Sequence, residues 1–507
     1  MAGIKSLVKD TAVYGLSSIV GRFLNWMLVP LYTICFPVAE YGVVTFVYSV
    51  VALVMVILTY GLETGFFRFA NHEKWKDPME VYSTALLSLM TTSTVFVVLV
   101  AVFLHPVTHW MECDGHPAYV MIMAVCVALD VVMTIPYSYL RFRGRSWRFA
   151  TLRLVNIGIN IGLNLFFILL CPWLHTHHPG AVAWFYRPDF GIGYIFLANL
   201  IASAVNMLML IPELRGFPYR FNLELWRQMM AYSLPLLVLG VAGIMNQTID
   251  KILYPSLVSD PAEAMYGLGI YGANYKIAVI LLVFLQAFRF AYEPFIFARN
   301  REAGDGKLQA YRDAMKYFVI FALFIYLGVM YYLDVLRYFI SPRYFSGLKV
   351  VPIVMLAELF FGIFFNLSVW YKLTDRTMYG AWFSLLGLAV TVTLNVILVP
   401  RMGYMGCAVA ALASYTTMMV VSYLIGNRKY PIGYPMWRIG FYFAVAAFLY
   451  YIGVILMPEF GWPHALNASV RALLLIFYVG MVIKVERIDA ADVLPRRFRK
   501  KADGTDR

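Results

Sequence analysis

The sequence predicts an all-α polytopic membrane protein of about fourteen transmembrane helices: two six-helix lobes related by a parallel repeat around a central cleft, with two extra helices at the carboxyl end. Three observations predict it. Hydrophobic residues make up 62% of the 507 and charged ones 14%, and the mean hydropathy is +0.72, a balance outside the range of soluble domains. Apolar stretches of about 20 residues, the length a bilayer core demands, follow one another with short polar breaks. Finally, the punctuation of these stretches recurs halfway along the chain.

The first stretch, near 11–35, is too long for a signal peptide, is interrupted by Arg22 and lacks a small-residue cleavage site, so it is expected to remain as a span. Ser18, Arg22, Asn25 and Tyr32 share one of its faces, and Pro30 can kink it. Spans two to four are expected near 41–70, 81–104 and 117–140. The fifth, near 149–172, contains LRLVNIGINIGLNLFFILL (152–170), where Asn156, Asn160 and Asn164 are spaced by four and Arg153 sits one turn earlier. One helical face therefore carries all four polar groups and cannot look at lipid. Span six (190–212) offers Asn199, Ser203 and Asn206 as partners for this ladder, span eleven is the other expected neighbour, and Gly158 and Gly162 suggest close packing beside it.

Span seven (230–255) brings Asn246, Gln247, Asp250 and Lys251 into its outer half. Span eight (265–298) carries Tyr275, Lys276, Gln286, Arg289 and Glu293, the last two four residues apart and able to pair. The remaining spans are expected near 314–340, 347–371, 379–400, 404–426, 437–457 and 465–485.

VPLY (29–32) is followed by EYG (40–42), and LYPS (253–256) by MYG (265–267); Pro30 to Tyr41 and Pro255 to Tyr266 are both 11 residues, an offset of 225. Arg141, Arg145 and Asn164 match Lys372, Arg376 and Asn395 at an offset of 231. Two matches six spans apart point to an internal duplication. Because six is even, both copies enter the membrane from one side, related by an axis along the membrane normal. The expected organisation is a lobe at 1–213, a second at 214–427, spans thirteen and fourteen within 428–485, and a basic tail at 486–507.

Lys and Arg fix the orientation. Twenty-eight lie in the loops on the side of the amino terminus, including RFRGRSWR (141–148), against Arg187, Arg343, Lys349 and Arg401 on the other. Both termini are expected in the cytoplasm. The net charge of +13 is accounted for by such loops and by RRFRKK (496–501), which suit anionic lipid headgroups; no nucleic-acid motif accompanies it. The five cysteines show no CxxC pairing, although Cys113 and Cys171 sit in loops on one side where a bridge can be drawn. His105, His109, Cys113 and His116, with HTHH (175–178), outline a metal site only loosely, since no zinc-like spacing recurs, and no metal is expected.

Cations inside the membrane carry the functional reading. A Lys or Arg at the bilayer centre costs at least about 2.5–3.5 kcal/mol, so Arg22, Arg153, Lys251, Lys276, Arg289 and Arg471 must face protein or water. Arg68, Lys316 and Arg337 lie close enough to span ends to snorkel to an interface. A cleft lined by spans one, seven and eight would be wet and cationic, and its natural guest is a phosphate on an amphiphile. The candidate headgroup-binding residues are Arg22, Asn25, Arg153, Lys276 and Arg289; Glu63, Asp250 and Glu293 are candidates for ion coupling, with neutralisation of a nearby cation the other role open to Asp250 and Glu63.

VYGLSSIVGRFLNWMLVPLYTICFPVAEYG (13–42), GLETGFFRF (61–69), AFRFAYEPFIF (287–297) and LNVILVPRMGYMGCAVAALASY (394–415) resemble the polysaccharide-biosynthesis flippases, the O-antigen and oligosaccharide exporters of the multidrug/oligosaccharidyl-lipid/polysaccharide superfamily. The resemblance runs over nearly the whole chain. It implies fourteen helices, alternating access, and transfer of an undecaprenyl-diphosphate-linked oligosaccharide across the bacterial inner membrane for O-antigen, capsule or exopolysaccharide synthesis, with cleft cations on the pyrophosphate or acidic sugars. Polysaccharide polymerase and glycosyltransferases are the implied partners. No phosphate-binding GxxxxGK[ST] loop occurs, so no cofactor is expected, and membrane potential or a proton or sodium gradient is the expected drive. Two other readings compete. A multidrug or cation antiporter of the same fold favours an acidic cleft, whereas span one offers Arg22. A membrane polymerase or ligase needs catalytic groups in a sizeable outer loop, and the longest, 171–189, holds only HTHH and Asp189.

Overall fold

The computed structural model describes residues 15, 17, 19–72, 74–75, 77–215, 219–300, 306–374 and 376–487, with backbone alone at 291, 293–295, 297–300 and 307. Ser18, the side chain of Glu293 and the basic tail with RRFRKK lie outside the described residues. Among those described, no strand is present, and twelve helices are long and apolar enough to cross a membrane, accompanied by two shorter apolar ones. The protein is a multi-pass membrane protein.

In chain order the helices are α1 (Ile19–Cys35, one of the shorter pair), α2 (Val38–Ala70), α3 (Pro78–Val102), α4 (Pro117–Phe142), α5 (Ser146–His177), α6 (Gly193–Met209, the other shorter one) and α7 (Leu223–Leu257). They continue as α8 (Pro261–Asn300), α9 (Gly306–Tyr331), α10 (Val350–Leu373), α11 (Met378–Met402), α12 (Tyr404–Lys429), α13 (Met436–Glu459) and α14 (His464–Glu486). Their starts follow local chemistry. Pro78 opens α3 where its missing N–H is no loss, and Asp77 caps it by accepting from Met79 N at 2.9 Å. Asn222 caps α7 through Leu225 N at 3.0 Å. Inside α5 the turn Phe166–Leu170 widens to a π-helix just before Pro172, and inside α13 Tyr451–Leu456 does the same before Pro458. A proline supplies no N–H to the carbonyl four residues back, so the preceding turn re-registers. α2 breaks at Tyr60 and Gly61, both left-handed at φ 30° and 73°.

The chain forms two compact units, Met1–Pro294 with Phe339–Lys429, and Phe295–Tyr338 with Tyr430–Arg507. In the first, α4 packs on α3 and α6, α6 on α5, α7 on α2 and α11, and α12 on α10 and α11. Leu62, Phe66, Tyr82, Leu86, Ile135, Leu225 and Met229 bury a core where α2, α3, α4 and α7 meet. That end also holds the basic turn before α5; we call it the basic end. At the opposite end α2 and α8 cross backbone to backbone. A Cβ placed on Gly42 would stand 1.9 Å from Met265 O, and one on Gly269 would stand 2.0 Å from Val38 O. The segment Phe339–Gly347 seals this crossing: Phe339 stacks on Trp26 at 3.9 Å, Tyr344 lies edge-on to Tyr41 at 5.8 Å, and Tyr344 O accepts from Asn274 Nδ2 at 2.9 Å.

In the second unit α9 packs against α13 and α14. Buried Arg471 donates to Gly453 O at 3.0 Å, to Tyr331 O at 2.8 Å and to Asp334 at 2.9 Å, so this membrane cation satisfies backbone freed beside the π-turn. Lys316 corrects the sequence reading. Instead of snorkelling it is 7% exposed and paired with Glu486 at 2.5 Å and Asp313 at 3.1 Å, because α14 brings a carboxylate that spacing alone does not announce.

The polar ladder of α5 is corrected too. Its partner is α1 rather than α6 or α11: Tyr32 OH donates to Asn164 Oδ1 at 3.0 Å, Asn164 Nδ2 to Asn160 O at 2.7 Å, and Asn160 Nδ2 to Asn25 Oδ1 at 3.3 Å. The α6 residues turn elsewhere, Asn199 to Tyr48 at 2.6 Å, Ser203 to Asp130 at 2.7 Å and Asn206 to Tyr137 at 2.9 Å. Gly158 and Gly162 meet nothing within 4 Å of a Cβ and so mark no close helix contact; that approach occurs at Gly21, against Ile157. All five cysteines are free, without a Cys113–Cys171 bridge. Burial beside Asp114 and Glu112 pushes the Cys113 thiol up to about 12.

Candidate functional site

Between α1, α2, α5, α6, α7 and α8 lies a cavity of about 520 Å³. Helices of both sequence halves contribute to its wall. Aromatic faces come from Trp26, Tyr32, Tyr41, Tyr48 and Tyr275, and amides from Asn25, Asn160, Asn199 and Gln247. Three cations line it, Arg22, Lys251 and Lys276, and no lining residue is Asp or Glu. Exposure falls inward: Arg22 and Asn25 are exposed, Lys276 is half-buried and Lys251 is buried. The close α2–α8 crossing at Gly42 and Gly269 lies at the end away from the basic turn.

Of the residues expected to bind a headgroup, Arg22, Asn25 and Lys276 line this cavity. The Arg22 guanidinium donates to Gln286 Oε1 on α8, linking the two halves by a bond that an oxyanion can replace. The backbone of Lys276 accepts from Trp26 Nε1 at 2.7 Å, while its ammonium has no hydrogen-bond or ion-pair partner among the described residues. Arg153 and Arg289 stand outside the lining. Arg153 stacks on Tyr137 at 4.2 Å, a ring of α4 that neither its spacing nor its ladder announces. Arg289 is exposed and stacks on Phe365 at 4.2 Å, and Lys372 covers the same ring at 4.5 Å. The charges of Arg289 and Arg153 nonetheless both bear on Arg22, which makes the entrance strongly cationic. The expected partner of Arg289, Glu293, lies outside the described side chains.

Neither Glu63 nor Asp250 lines the cavity. Glu63 pairs with Arg141, at the basic end of α2. Asp250 is 4% exposed and held by Lys251 and by Tyr271 OH at 2.7 Å. Sequence reasoning missed Glu358 on α10, also 4% exposed, which accepts from Tyr275 OH at 2.8 Å. Its signal was present, since a lone carboxylate within VMLAELFF is the kind of intramembrane charge that marks a site. Asp130 on α4 was passed over in the same way and accepts from Ser203.

A chain of this kind, with a helical membrane fold and a cavity lined by cations between its helices, has the architecture of flippases and membrane transporters. The lipid II flippase MurJ in an inward closed conformation superposes with a TM-score of 0.72 at 12% identity, over 95% of this chain and 100% of that one. An inward-facing multidrug resistance MATE family transporter of the MOP superfamily gives 0.63 at 13% identity over 83% and 94%, and a MATE structure in complex with MaD3S gives 0.58 at 15% over 84% and 95%. No curated protein matches the chain. The model of the polysaccharide biosynthesis protein family matches residues 7–297, and the chain belongs to that family.

Proposed function

We propose that this protein is a flippase that moves a lipid-linked oligosaccharide, carried on undecaprenyl diphosphate, across the bacterial inner membrane for O-antigen, capsule or exopolysaccharide synthesis. The observation that carries the reading is a cavity walled by both halves, with Arg22, Lys251 and Lys276 and no acidic residue among its lining. A phosphorylated headgroup is attracted to such a site and an organic cation is repelled, which disfavours a drug antiporter. Rings and amides such as Trp26, Tyr48, Asn160 and Gln247 suit sugar faces and hydroxyls. In this reading both termini are cytoplasmic and the basic end faces the cytoplasm, where the carrier lipid is loaded. The lobes 1–213 and 214–427 rock about the cavity, and polymerase and glycosyltransferases act after and before this step. Transport here makes or breaks no covalent bond.

The test is export in a host lacking its own copy. Arg22→Ala and Arg289→Ala are expected to abolish surface polysaccharide while the protein inserts at its normal level. Normal polysaccharide in both variants would remove the cationic-cavity mechanism.

A further inference from the structure

Lys251 and Asp250 are neighbours in α7, and neighbours on a helix point about 100° apart. Lys251 nevertheless curls back so that Nζ lies 3.0 Å from both Oδ1 and Oδ2 of Asp250 and 3.0 Å from Gln247 O, which uses all three ammonium protons. The ammonium nitrogen also lies over the rings of Tyr275 and Tyr271, 4.3 and 5.3 Å from their centroids. Lys251 belongs to the cavity wall and Asp250 does not. The lysine therefore stands between a buried carboxylate and a space lined by no acid, with Lys276, whose ammonium has no partner among the described residues, beside it.

We propose that Lys251 binds an anionic group of the cargo, a phosphate or a sugar carboxylate, by leaving Asp250, which then takes up one proton. This inference rests on the flippase reading and adds a recognition residue and a coupled proton to it. An ammonium on four rotatable bonds can turn from one carboxylate to another anion without backbone movement. An ionised Asp250 abandoned in the interior is costly, and protonation relieves it. The step balances: Asp250 carboxylate plus a proton from water gives the carboxylic acid, and cargo release reverses it. The groups facing the pair do not supply a substitute cation. Tyr271, Tyr275 and Lys276 come from α8, Glu358 from α10, and Cys407 and Tyr415 from α12. Of these Lys276 alone is positive, and it makes no ion pair with Asp250.

The experiment uses the full chain in lipid nanodiscs with three probes: farnesyl diphosphate, octyl β-glucuronide and neutral octyl β-glucoside. Titration calorimetry in two buffers of different ionisation enthalpy reads affinity and proton uptake together. Wild type is expected to bind at least one anion tenfold or more tighter than the glucoside, with uptake of about one proton. Lys251→Gln removes that preference and Lys251→Arg keeps it. Asp250→Asn tightens anion binding and abolishes the uptake, whereas a merely structural Asp250 would weaken binding when replaced. Asp250→Asn/Lys251→Gln removes the buried charge altogether, which guards against misfolding of the single variants, and should show neither preference nor uptake. Dependence on Lys251 for the diphosphate alone assigns it to the headgroup, and for the glucuronide alone to a sugar acid. An anion preference that survives Lys251→Gln while farnesyl diphosphate still needs Arg22 overturns this inference and leaves the flippase reading standing. Failure of wild type to bind either anion overturns both.

Discussion

Gly42 of α2 and Met265 of α8 meet with no room for a side chain between them: a methyl group on Gly42 would lie 1.9 Å from the Met265 carbonyl oxygen. Real Cβ atoms do not approach that closely, so even alanine must push the helices apart. Gly269 and Gly272 repeat the constraint against Val38 and Thr45. Gly42→Ala is therefore expected to open the end of the cavity away from the basic loops. The reporter is Ser49→Cys, a cavity-lining position, in a Cys35→Ser background because Cys35 is exposed. A membrane-impermeant maleimide outside right-side-out vesicles should label Ser49→Cys several-fold faster when Gly42 is alanine. Equal labelling would show that the crossing is not the barrier.

The helices and the cationic character were legible because both are one-dimensional properties: apolar length sets a span, and an Arg within it must find water or protein. Partners were less legible because they depend on rotation about helix axes. The Asn ladder of α5 was visible, yet its docking on Asn25 and Tyr32 required knowing that α1 approaches at Gly21. Helical spacing does not single out the Lys251–Asp250 pair, since adjacent residues do not face each other; the length of the lysine stem lets it form. Gly158 and Gly162 illustrate the converse, a packing motif with nothing packed on it.

The Tyr32–Asn164 hydrogen bond ties α1 to α5 in a fully buried setting, where Asn164 has no exposure. Interhelical bonds in membranes contribute about 0.6 kcal/mol, rarely beyond about 1.7. A double-mutant cycle with Tyr32→Phe and Asn164→Leu, read by thermal unfolding in detergent, should return a coupling in that range. Additive losses would mean that the two side chains do not act on each other.

Glu63 is bound to Arg141, and both are partly exposed, at 44% and 32%. Pairs of that kind contribute about 0–1 kcal/mol. Glu63→Gln is expected to lower the melting temperature slightly and to leave polysaccharide export and its dependence on proton or sodium gradients unchanged. A changed ion dependence would place Glu63 in the coupling machinery.

Lys316 and Glu486 form a different kind of pair, 7% and 2% exposed at 2.5 Å, and Glu486 also accepts from Tyr442 OH at 2.7 Å. Removing one member of a buried pair leaves a desolvated charge, at a cost on the order of 3 kcal/mol, whereas replacing both by apolar groups of similar size is often neutral. Glu486→Ala should therefore cost more than Lys316→Met, because Glu486 retains Tyr442 and Arg438 when the lysine is lost, while Lys316 keeps only the more exposed Asp313. The double variant Lys316→Met/Glu486→Leu should recover most of the loss. Thermal unfolding of the solubilised variants gives the order directly, and a double variant worse than either single would show that the carboxylate is held for its hydrogen bonds to α13 rather than for its charge.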